Sequence, residues 1–348
     1  MGKEERDDSP VKWWLQLAGL LLCCLSANLL LAVGEATARD CKLKPLGSVD
    51  ISTPRDWIVL MQVMINGHPA SMELDTASTA SLIQAEYVRP FGLRLRGAPV
   101  HMEFRSETET FQMTQFVRLT SLEVGTVKFD NPPVWVLPEG GLADATALGT
   151  PDRPDAGRLG LDVLTALDFE LDFANHKLNF YSTNHCAGAG VYWTHDYSST
   201  PMTRAPLGNL IFPVELNGKK VEAVISTAMA QSWMYTDATH RLYGFDETSG
   251  DNEVRTGGAG GSLVYYRDMT LTGFGSSGKH VHIRLDTRSI DPACTLTSRG
   301  TGAAYYLGEP CKGNEAPLYL GMDVLRHLHL YYASKEQVVY FSDASASK

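Results

Sequence analysis

Residues 65–83 read INGHPASMELDTASTASLI, and residues 216–234 read LNGKKVEAVISTAMAQSWM. Both stretches begin with an apolar residue and an Asn-Gly pair, and nine residues after that asparagine stands Asp75 in the first and Ser226 in the second. The next two positions also agree, with a threonine and then an alanine in each copy: Thr76, Ala77, Thr227 and Ala228. The common register predicts that the two stretches fold alike, with a serine where the first copy has an acid.

A second motif follows each stretch in the same order. Residues 159–164 read LGLDVL, and residues 320–325 read LGMDVL. Each is followed by an aromatic-rich segment typical of strands, at 171–182 and 330–342. An ordered pair of motifs repeated about 150 residues apart indicates duplication of a whole domain, because solenoid repeats have periods of about 20–50 residues.

The run from Leu74 to Ser78, with the later Leu159-Gly160, resembles the pepsin and retropepsin clan of aspartic proteases. The Leu-Gly-x-Asp-Val-Leu form is most similar to the bacterial retropepsin-like branch. The resemblance covers residues 55–342. It implies an all-β fold of two pseudo-symmetric acid-protease-like β-barrel lobes with an interlobe cleft, duplicated in one chain, in which Ser226 replaces the second catalytic aspartate.

In that family two carboxylates on opposite lobes share one proton, because like charges a few ångströms apart cannot both ionise. The resemblance implies that Asp75 is the catalytic acid or base. The residues with supporting roles would be Thr76, Ala77, Ser78, Ser226, Thr227 and Ala228. Alanine replaces the family's usual glycine in both copies, which is tolerable only where the backbone stays in a region open to L-residues.

A serine cannot share the proton as a carboxylic acid does. Facing Ser226, Asp75 would lack the like-charge neighbour that raises a carboxyl pKa, so it should be ionised and act as a base. Losing one positioned proton-transfer group costs about 10²–10⁴ in rate. Two routes could restore activity: pairing of Asp75 from two chains, or a single-carboxylate mechanism with Ser226 as a hydrogen-bonding partner.

The function expected is therefore hydrolysis of an extended peptide or unfolded protein segment by a retropepsin-like aspartic endopeptidase that uses Asp75. The alternative is a catalytically inactive pseudoprotease that acts as an exported peptide-binding or interaction module. A third and weaker hypothesis is a structural envelope protein that has inherited the fold. We expect flaps over the cleft at residues 105–111, including Thr108, and in the glycine run 257–261, including Gly258 and Gly260; ordinary flexible turns would explain both segments equally well.

Composition excludes some classes of partner and cofactor. The net charge of −10 and the pI near 5.5 argue against a nucleic-acid partner, which requires a basic face. No cofactor is expected. A cysteine metal site is not predicted because the chain has no CxxC pair. The pairs His280-x-His282 and His327-x-His329 have strand spacing, and we expect them to face solvent rather than to bind metal.

The N-terminus predicts export of the rest of the chain. Residues 13–33 are largely apolar, and Ala36-Thr37-Ala38 forms a cleavage signature before Arg39. Residues 1–38 are therefore either a signal peptide or a membrane anchor; the run is long for a signal core and suits a span of about 20 residues. Both alternatives place the remaining chain in the periplasm or outside the cell.

Four cysteines follow that segment: Cys41, Cys186, Cys294 and Cys311. An even number in an exported chain indicates two disulfides with three connectivities. We favour Cys294–Cys311 as a local loop and Cys41–Cys186 as a tie between the start and end of the first lobe. The lobes are predicted at 39–182 and 211–348, with an inter-lobe linker at 183–210.

Local patterns place most elements. Strands are predicted at 59–65, 70–74, 212–216 and 221–225, and helical turns at 86–92 and 162–167. Residues 138–157 are rich in Pro, Gly and Asp and predict a long surface loop. Asp162 and Asp323, at matched positions, are expected to cap short helices.

Overall fold

The computed structural model describes residues 41–55, 58–105, 110–138, 150–205, 208–256, 263–272, 279–286 and 317–344. Two compact units are distinguished, Met1–Lys42 and Leu43–Lys348. Only residues 41 and 42 of the first unit lie in the described ranges. The fold is therefore that of the second unit, which contains both copies of the repeated motifs.

The described residues form strands and a few short helices, which confirms the predicted all-β class. The strands of the first half are β1 (Pro45–Arg55), β2 (Ile58–Ile65), β3 (His68–Leu74), β4 (Leu82–Gln84), β5 (Arg96–Arg105), β6 (Thr110–Arg118), β7 (Ser121–Val124), β8 (Val127–Asp130), β9 (Pro133–Leu137), β10 (Asp155–Leu159), β11 (Asp168–Asp172) and β12 (Lys177–Tyr181). Those that follow are β13 (Ser198–Pro201), β14 (Thr203–Arg204), β15 (Leu210–Leu216), β16 (Lys219–Ile225), β17 (Trp233–Tyr235), β18 (Glu253–Thr256), β19 (Leu263–Thr272), β20 (Lys279–Asp286), β21 (Leu318–Leu320), β22 (Leu328–Ala333) and β23 (Val338–Asp343). The helices are α1 (Ala85–Val88), α2 (Leu161–Leu164), α3 (Thr236–Tyr243) and α4 (Met322–Leu325).

Two tight hairpins set the register of the motif strands. Asn66 and Gly67, between β2 and β3, have φ of 50° and 81°, and Asn217 and Gly218, between β15 and β16, have φ of 45° and 75°. A two-residue hairpin whose twist matches its strands needs positive φ at both positions, which Asn and Gly adopt most readily. The Asn-Gly pairs therefore form the turns between the strands predicted at 59–65 and 70–74 and at 212–216 and 221–225.

The strands pair in two sheets. The larger, 15-stranded sheet has the order β13-β23-β22-β11-β12-β1-β2-β3-β10-β4-β9-β6-β5, with β7 paired to β2 and β8 to β7. The smaller, 8-stranded sheet has the order β14-β15-β16-β21-β17-β20-β19-β18. Because β11 of the first half pairs with β22 of the second, the larger sheet joins the two halves.

The strands carrying the motifs pair in the same way in each half. β10 lies parallel to β3 and antiparallel to β4, and β21 lies parallel to β16 and antiparallel to β17. Leu159 is in register with Leu74, and Leu320 with Ile225, and all four side chains are at most 1% exposed. A strand that is buried beside parallel neighbours needs apolar residues such as these. The leucine of each Leu-Gly motif therefore ends the strand that lies beside the motif loop, the loop that carries Asp75 in the first half and Ser226 in the second.

A buried polar network lies where the halves share the larger sheet. Glu170 on β11 is fully buried, and its carboxylate meets His329 Nε2 at 2.6 Å. It also accepts hydrogen bonds from Tyr181 and Tyr192 hydroxyls and from the Asn179 amide, at 2.7, 3.0 and 2.7 Å. His329 also stacks on Trp193, with ring centroids 4.0 Å apart. The expectation that His329 faces solvent is therefore wrong, because its partners Glu170 and Trp193 lie inside the joint.

Two predicted segments differ from the structure. The surface loop predicted at 138–157 is wrong at its C-terminal end, where Asp155, Ala156 and Gly157 begin the buried strand β10. Its composition is that of a loop, yet Asp155 at the start of the strand is fully buried. The predicted linker at 183–210 includes strands β13 and β14, and β13 pairs with β23.

Candidate functional site

Asp75 and Ser226 follow the ends of β3 and β16, and the structure brings them together. The Ser226 hydroxyl donates to Asp75 Oδ1 over 3.4 Å. Each backbone N–H bonds to the strand that its half adds in parallel, Asp75 N to Leu159 O at 3.0 Å and Ser226 N to Leu320 O at 2.9 Å. Both residues are buried, since Asp75 as a whole residue is 6% exposed and Ser226 is 1% exposed. The two matched positions therefore face each other inside one chain.

Thr76 and Thr227 lock the two loops together by reciprocal hydrogen bonds. Thr76 Oγ1 donates to the carbonyl of Ile225 at 2.8 Å, and Thr227 Oγ1 donates to the carbonyl of Leu74 at 2.6 Å. The backbone N–H of Thr76 also donates to Thr227 Oγ1 at 3.2 Å. Because both hydroxyls are buried, these bonds satisfy carbonyls that water cannot reach. The threonines thus have the geometry of the supporting role predicted from the sequence.

The alanines fit without backbone strain, and their N–H groups face the site. Neither Ala77 nor Ala228 has a positive φ, so a methyl group is tolerated where glycine was expected. Ala77 N donates to Asp75 Oδ1 at 2.9 Å, and Ala228 N donates to Ser226 Oγ at 3.4 Å. The Ser78 hydroxyl instead bonds to the carbonyl of Ala80, which makes Ser78 a loop-stabilising residue.

Arg158 on β10 is a site residue that the sequence analysis missed. Its Nη1 donates to Asp75 Oδ2 at 2.9 Å, while its Nε and Nη2 donate to Glu73 Oε2 at 3.1 and 2.8 Å. The three side chains are 15%, 8% and 4% exposed for Arg158, Asp75 and Glu73. Such charge-assisted hydrogen bonds are strong and directional. One available signal was a charged residue directly before the Leu159-Gly160 pair, in a strand expected to be buried.

Burial and charge determine protonation around Arg158. Burial alone would lower the pKa of Arg158, but the Glu73 and Asp75 carboxylates outweigh it and raise that pKa. Burial, and then the charge of Glu73, raise the pKa of Asp155 to about 8. Asp155 Oδ1 accepts a hydrogen bond from Gly157 N, whereas its buried Oδ2 has no hydrogen-bond partner among the described residues. Asp155 is therefore neutral at pH 7, and the cation of Arg158 is balanced by Glu73 and Asp75.

The glycines of the Leu-Gly motifs pack against the motif loops. A Cβ on Gly160 would lie 2.7 Å from the carbonyl oxygen of Ala80, and one on Gly321 would lie 2.7 Å from the backbone of Gln231. In each half a serine accepts the glycine N–H at 3.0 Å: Ser81 for Gly160 and Ser232 for Gly321. Only glycine allows this approach of two backbones.

Asp162 and Asp323 bond to the motif loops, which differs from the predicted role as helix caps. The residues at the N-cap positions are Gly160 and Gly321. The Asp162 carboxylate accepts from Ser81 Oγ at 2.6 Å and from Val163 N at 2.9 Å. Asp323 repeats this with Ser232 Oγ at 2.8 Å and Val324 N at 3.0 Å. The aspartates therefore have a structural role that links each helix to the motif loop.

The remaining predicted residues are divided between described and undescribed parts of the chain. Cys41 and Cys186 are disulfide-bonded, in agreement with the favoured pairing. Residues outside the described ranges are Thr108, Gly258, Gly260, Cys294 and Cys311, as is the apolar segment 13–33. Within the ranges that are described, no helix is long and apolar enough to span a membrane.

His282 lies near two carboxylates at the surface. His282 Nδ1 lies 2.6 Å from Asp268 and its Nε2 lies 3.3 Å from Glu253, on the exposed surface of β19 and β20. In the part of the chain that the structure describes, no group of three or more His, Cys, Asp or Glu residues is arranged to hold a metal ion.

Comparisons with known proteins add the following. The family description "Aspartyl protease" matches residues 61–163, less than half of the chain, and these include Asp75 and Arg158. An aspartic proteinase from Irpex lacteus is similar at 11% identity over 86% of this chain and 97% of its own, with a TM-score of 0.48. Conglutin gamma, a basic 7S globulin from lupine seeds, is similar at 11% identity over 86% of this chain and 95% of its own, with a TM-score of 0.46. No curated protein matches the sequence.

Proposed function

We propose that the chain is an aspartic-protease-like protein that hydrolyses an extended peptide with Asp75 as its catalytic carboxylate. One observation carries the proposal: Asp75 is retained and oriented at the joint between the halves, with Ser226 Oγ at 3.4 Å from its Oδ1. The match of residues 61–163 to the aspartyl protease family supports it. The repeated motifs support a duplicated origin in which Ser226 replaced the second aspartate.

The geometry favours a single-carboxylate mechanism over pairing between chains. Asp75 is already faced by Ser226 and fixed by the Thr76 and Thr227 bonds within its own chain. In the proposed reaction the Asp75 carboxylate takes a proton from a water molecule, whose oxygen attacks the scissile carbonyl carbon. Asp75 then returns that proton to the amine nitrogen as the C–N bond breaks, which leaves a carboxylic acid and an amine. Ser226 would donate a hydrogen bond to that water or to the developing oxyanion. The missing acid should make the reaction slower than dyad chemistry, by about 10²–10⁴.

The second candidate is a pseudoprotease that binds an extended segment without cleaving it. Ser226 favours this candidate, because a hydroxyl cannot donate a proton to the leaving amine as a carboxylic acid can. Both candidates have the same partner class, an extended peptide or unfolded segment. They differ only in turnover.

The test is hydrolysis of an unfolded protein from about pH 3 to about pH 8, within which general acids and bases of this class titrate. We expect the native chain to cleave and Asp75→Asn to abolish cleavage. Asp130→Asn is the matched control, since Asp130 is exposed on β8 and pairs only loosely with Lys128 at 3.9 Å. Cleavage that appears only in Ser226→Asp would identify a pseudoprotease on an intact scaffold.

We also propose that the chain works outside the cytoplasm, exported by residues 1–38 as a cleaved or retained leader. The Cys41–Cys186 disulfide supports this, because structural disulfides persist in oxidising compartments. Fractionation of cells that produce the full chain tests it. Recovery of the chain in the cytoplasm with both thiols reduced would exclude export.

A further inference from the structure

The two halves differ in charge directly beside their motif residues. In the first half Arg158 on β10 is in register with Glu73 on β3. In the second half the same register pairs Tyr319 on β21 with Val224 on β16, and Tyr319 stacks on Trp233 with centroids 4.3 Å apart. The buried ion pair is thus placed only in the half that keeps a carboxylate at the joint.

Arg158 and Ser226 bond to different carboxylate oxygens of Asp75. Asp75 Oδ2 accepts from Arg158 Nη1 at 2.9 Å, while Oδ1 accepts from Ala77 N and Ser226 Oγ. Glu73 holds the rest of the guanidinium through two hydrogen bonds to Oε2. Both carboxylate oxygens of Asp75 are therefore held by donors, which suits an ionised group.

We propose that Arg158, anchored by Glu73, is a positioning residue that holds the Asp75 carboxylate oriented as a base, so that the site is a carboxylate–guanidinium pair rather than a decayed proton-sharing dyad. This inference rests on the proposed function and specifies its chemistry. A cation in hydrogen-bonding contact favours the charged form of a carboxyl group, whereas a dyad requires one carboxyl to stay protonated.

The charged and titratable groups around this pair support neutral-pH operation. Arg158 is faced by Glu73 from β3, by Asp75 from the motif loop and by Asp155 from its own strand, and the groups opposite Asp75, Ser226 and Thr227, are neutral. The raised pKa of Asp155, about 8, favours the uncharged form of this third carboxyl until the pH reaches that value. Below that pH Arg158 is not drawn away from Asp75 by another anion of the cluster.

The first test is the pH dependence of kcat/KM for four proteins: the native chain, Arg158→Met, Arg158→Lys and Glu73→Gln. For Arg158→Met we expect kcat/KM to fall by about 10²-fold, as for a misplaced catalytic group. We also expect the acidic limb of its pH profile to move to higher pH. Arg158→Lys should restore the position of the acidic limb, because it keeps the cation, and Glu73→Gln should move it part of the way. Arg267→Met is the matched control, since Arg267 is similarly shielded and pairs with Asp251. An acidic limb that stays in place in Arg158→Met would overturn the proposal.

A second test separates failure of this inference from failure of the proposed function. If no protein in the series cleaves peptides, the proposed function fails, and the unfolding equilibria of Asp75→Asn, Arg158→Met and the double variant decide the inference. Groups that form a unit give non-additive effects, and we expect coupling of about tenfold or more in the unfolding constant. Additive effects would overturn the positioning role whether or not the native chain is active.

A third test uses the reconstructed dyad. Ser226→Asp alone should cleave poorly at acidic pH, because Arg158 opposes protonation of the pair. Ser226→Asp combined with Arg158→Met should cleave faster there, by about tenfold or more, since proton sharing then becomes possible. If Ser226→Asp with Arg158 intact cleaves faster at acidic pH than the double variant, the proposal is contradicted.

Discussion

Among single residues, the candidate site depends on the hydrogen-bond partners of a few buried polar side chains. Asp75, Ser226, Thr76 and Thr227 could be predicted because the motif places them in a fixed local register. Arg158 could not, because its contact with Glu73 joins residues 85 positions apart. No local spacing marks such a pair, and hydropathy assigns both residues to the surface. Sequence patterns therefore found the repeated part of the site and missed the part that only one half carries.

The reciprocal threonine bonds predict a stability loss in either half. Thr76→Val and Thr227→Val each remove a buried donor from a backbone carbonyl. We expect each to lower the free energy of unfolding by about 1–3 kcal/mol, because the carbonyl of Ile225 or Leu74 is left unsatisfied. Urea denaturation measures this. Thr114→Val, at an exposed position of β6, is the control; equal stability of all three variants would contradict the bonding scheme.

Asp155 predicts a specific dependence of stability on pH. Its pKa in the folded protein, about 8, lies above the ordinary value of 3.8. Between these values the folded protein binds a proton that the unfolded chain releases, so the stability associated with Asp155 falls as pH rises from about 4 to about 8. Asp155→Asn removes this titration. The variant should gain stability over the native chain by up to about 1.4 kcal/mol per pH unit in that window.

Urea denaturation of both proteins at about pH 5 and about pH 8 measures the difference, within the range where the two states differ in bound protons. A gain that is the same at both pH values would show that Asp155 is not the group that titrates.

At the element scale, the Leu-Gly corners explain why these motifs recur. In each half a buried strand ends at the Leu-Gly pair, and the glycine packs against the motif loop. A one-turn helix begins directly after the glycine. The helices were predictable from their pattern, but the partners of Asp162 and Asp323 were not, since Ser81 and Ser232 precede them by many residues. The loop predicted at 138–157 was too long by the first three residues of β10, because Asp155 and Gly157 are typical of loops although they are buried here.

Gly160→Ala and Gly321→Ala test the corners. Each added methyl would overlap backbone atoms at 2.7 Å, which must then move. We expect each to cost about 1–3 kcal/mol of stability, the usual cost of overpacking, measured by thermal or urea unfolding. Gly97→Ala on β5 is the control, since its Cβ would meet no atom within 4 Å. A neutral effect at Gly160 and Gly321 would mean that the loops do not pack as described.

At the scale of the whole molecule, the larger sheet makes the two halves one structure. β11 and β22 pair from Phe169 with Tyr332 to Asp172 with His329. The sequence predicted two similar halves, each ending in an aromatic-rich segment typical of strands. It did not predict their joining in one sheet, because strand pairing between distant segments depends on tertiary packing that a local pattern does not record.

Glu170→Gln tests this joint. Glu170 is fully buried and meets His329 at 2.6 Å, and removing one partner of a buried pair costs about 3–5 kcal/mol. We expect that loss in urea unfolding, still as one transition, because the halves share a sheet. Glu222→Gln, at an exposed position of β16, should be close to neutral. Two separated transitions in the native chain would show that the halves unfold independently.

The central claim is that Asp75, facing Ser226 across the joint, performs peptide hydrolysis without a second carboxylate. The most direct measurement compares the initial rate of peptide hydrolysis by the native chain and by Asp75→Asn at neutral pH. We expect the rate of Asp75→Asn to be lower than that of the native chain by a factor of about 10²–10⁴, the contribution of one positioned proton-transfer group. Equal rates, or no hydrolysis by either protein, would contradict it.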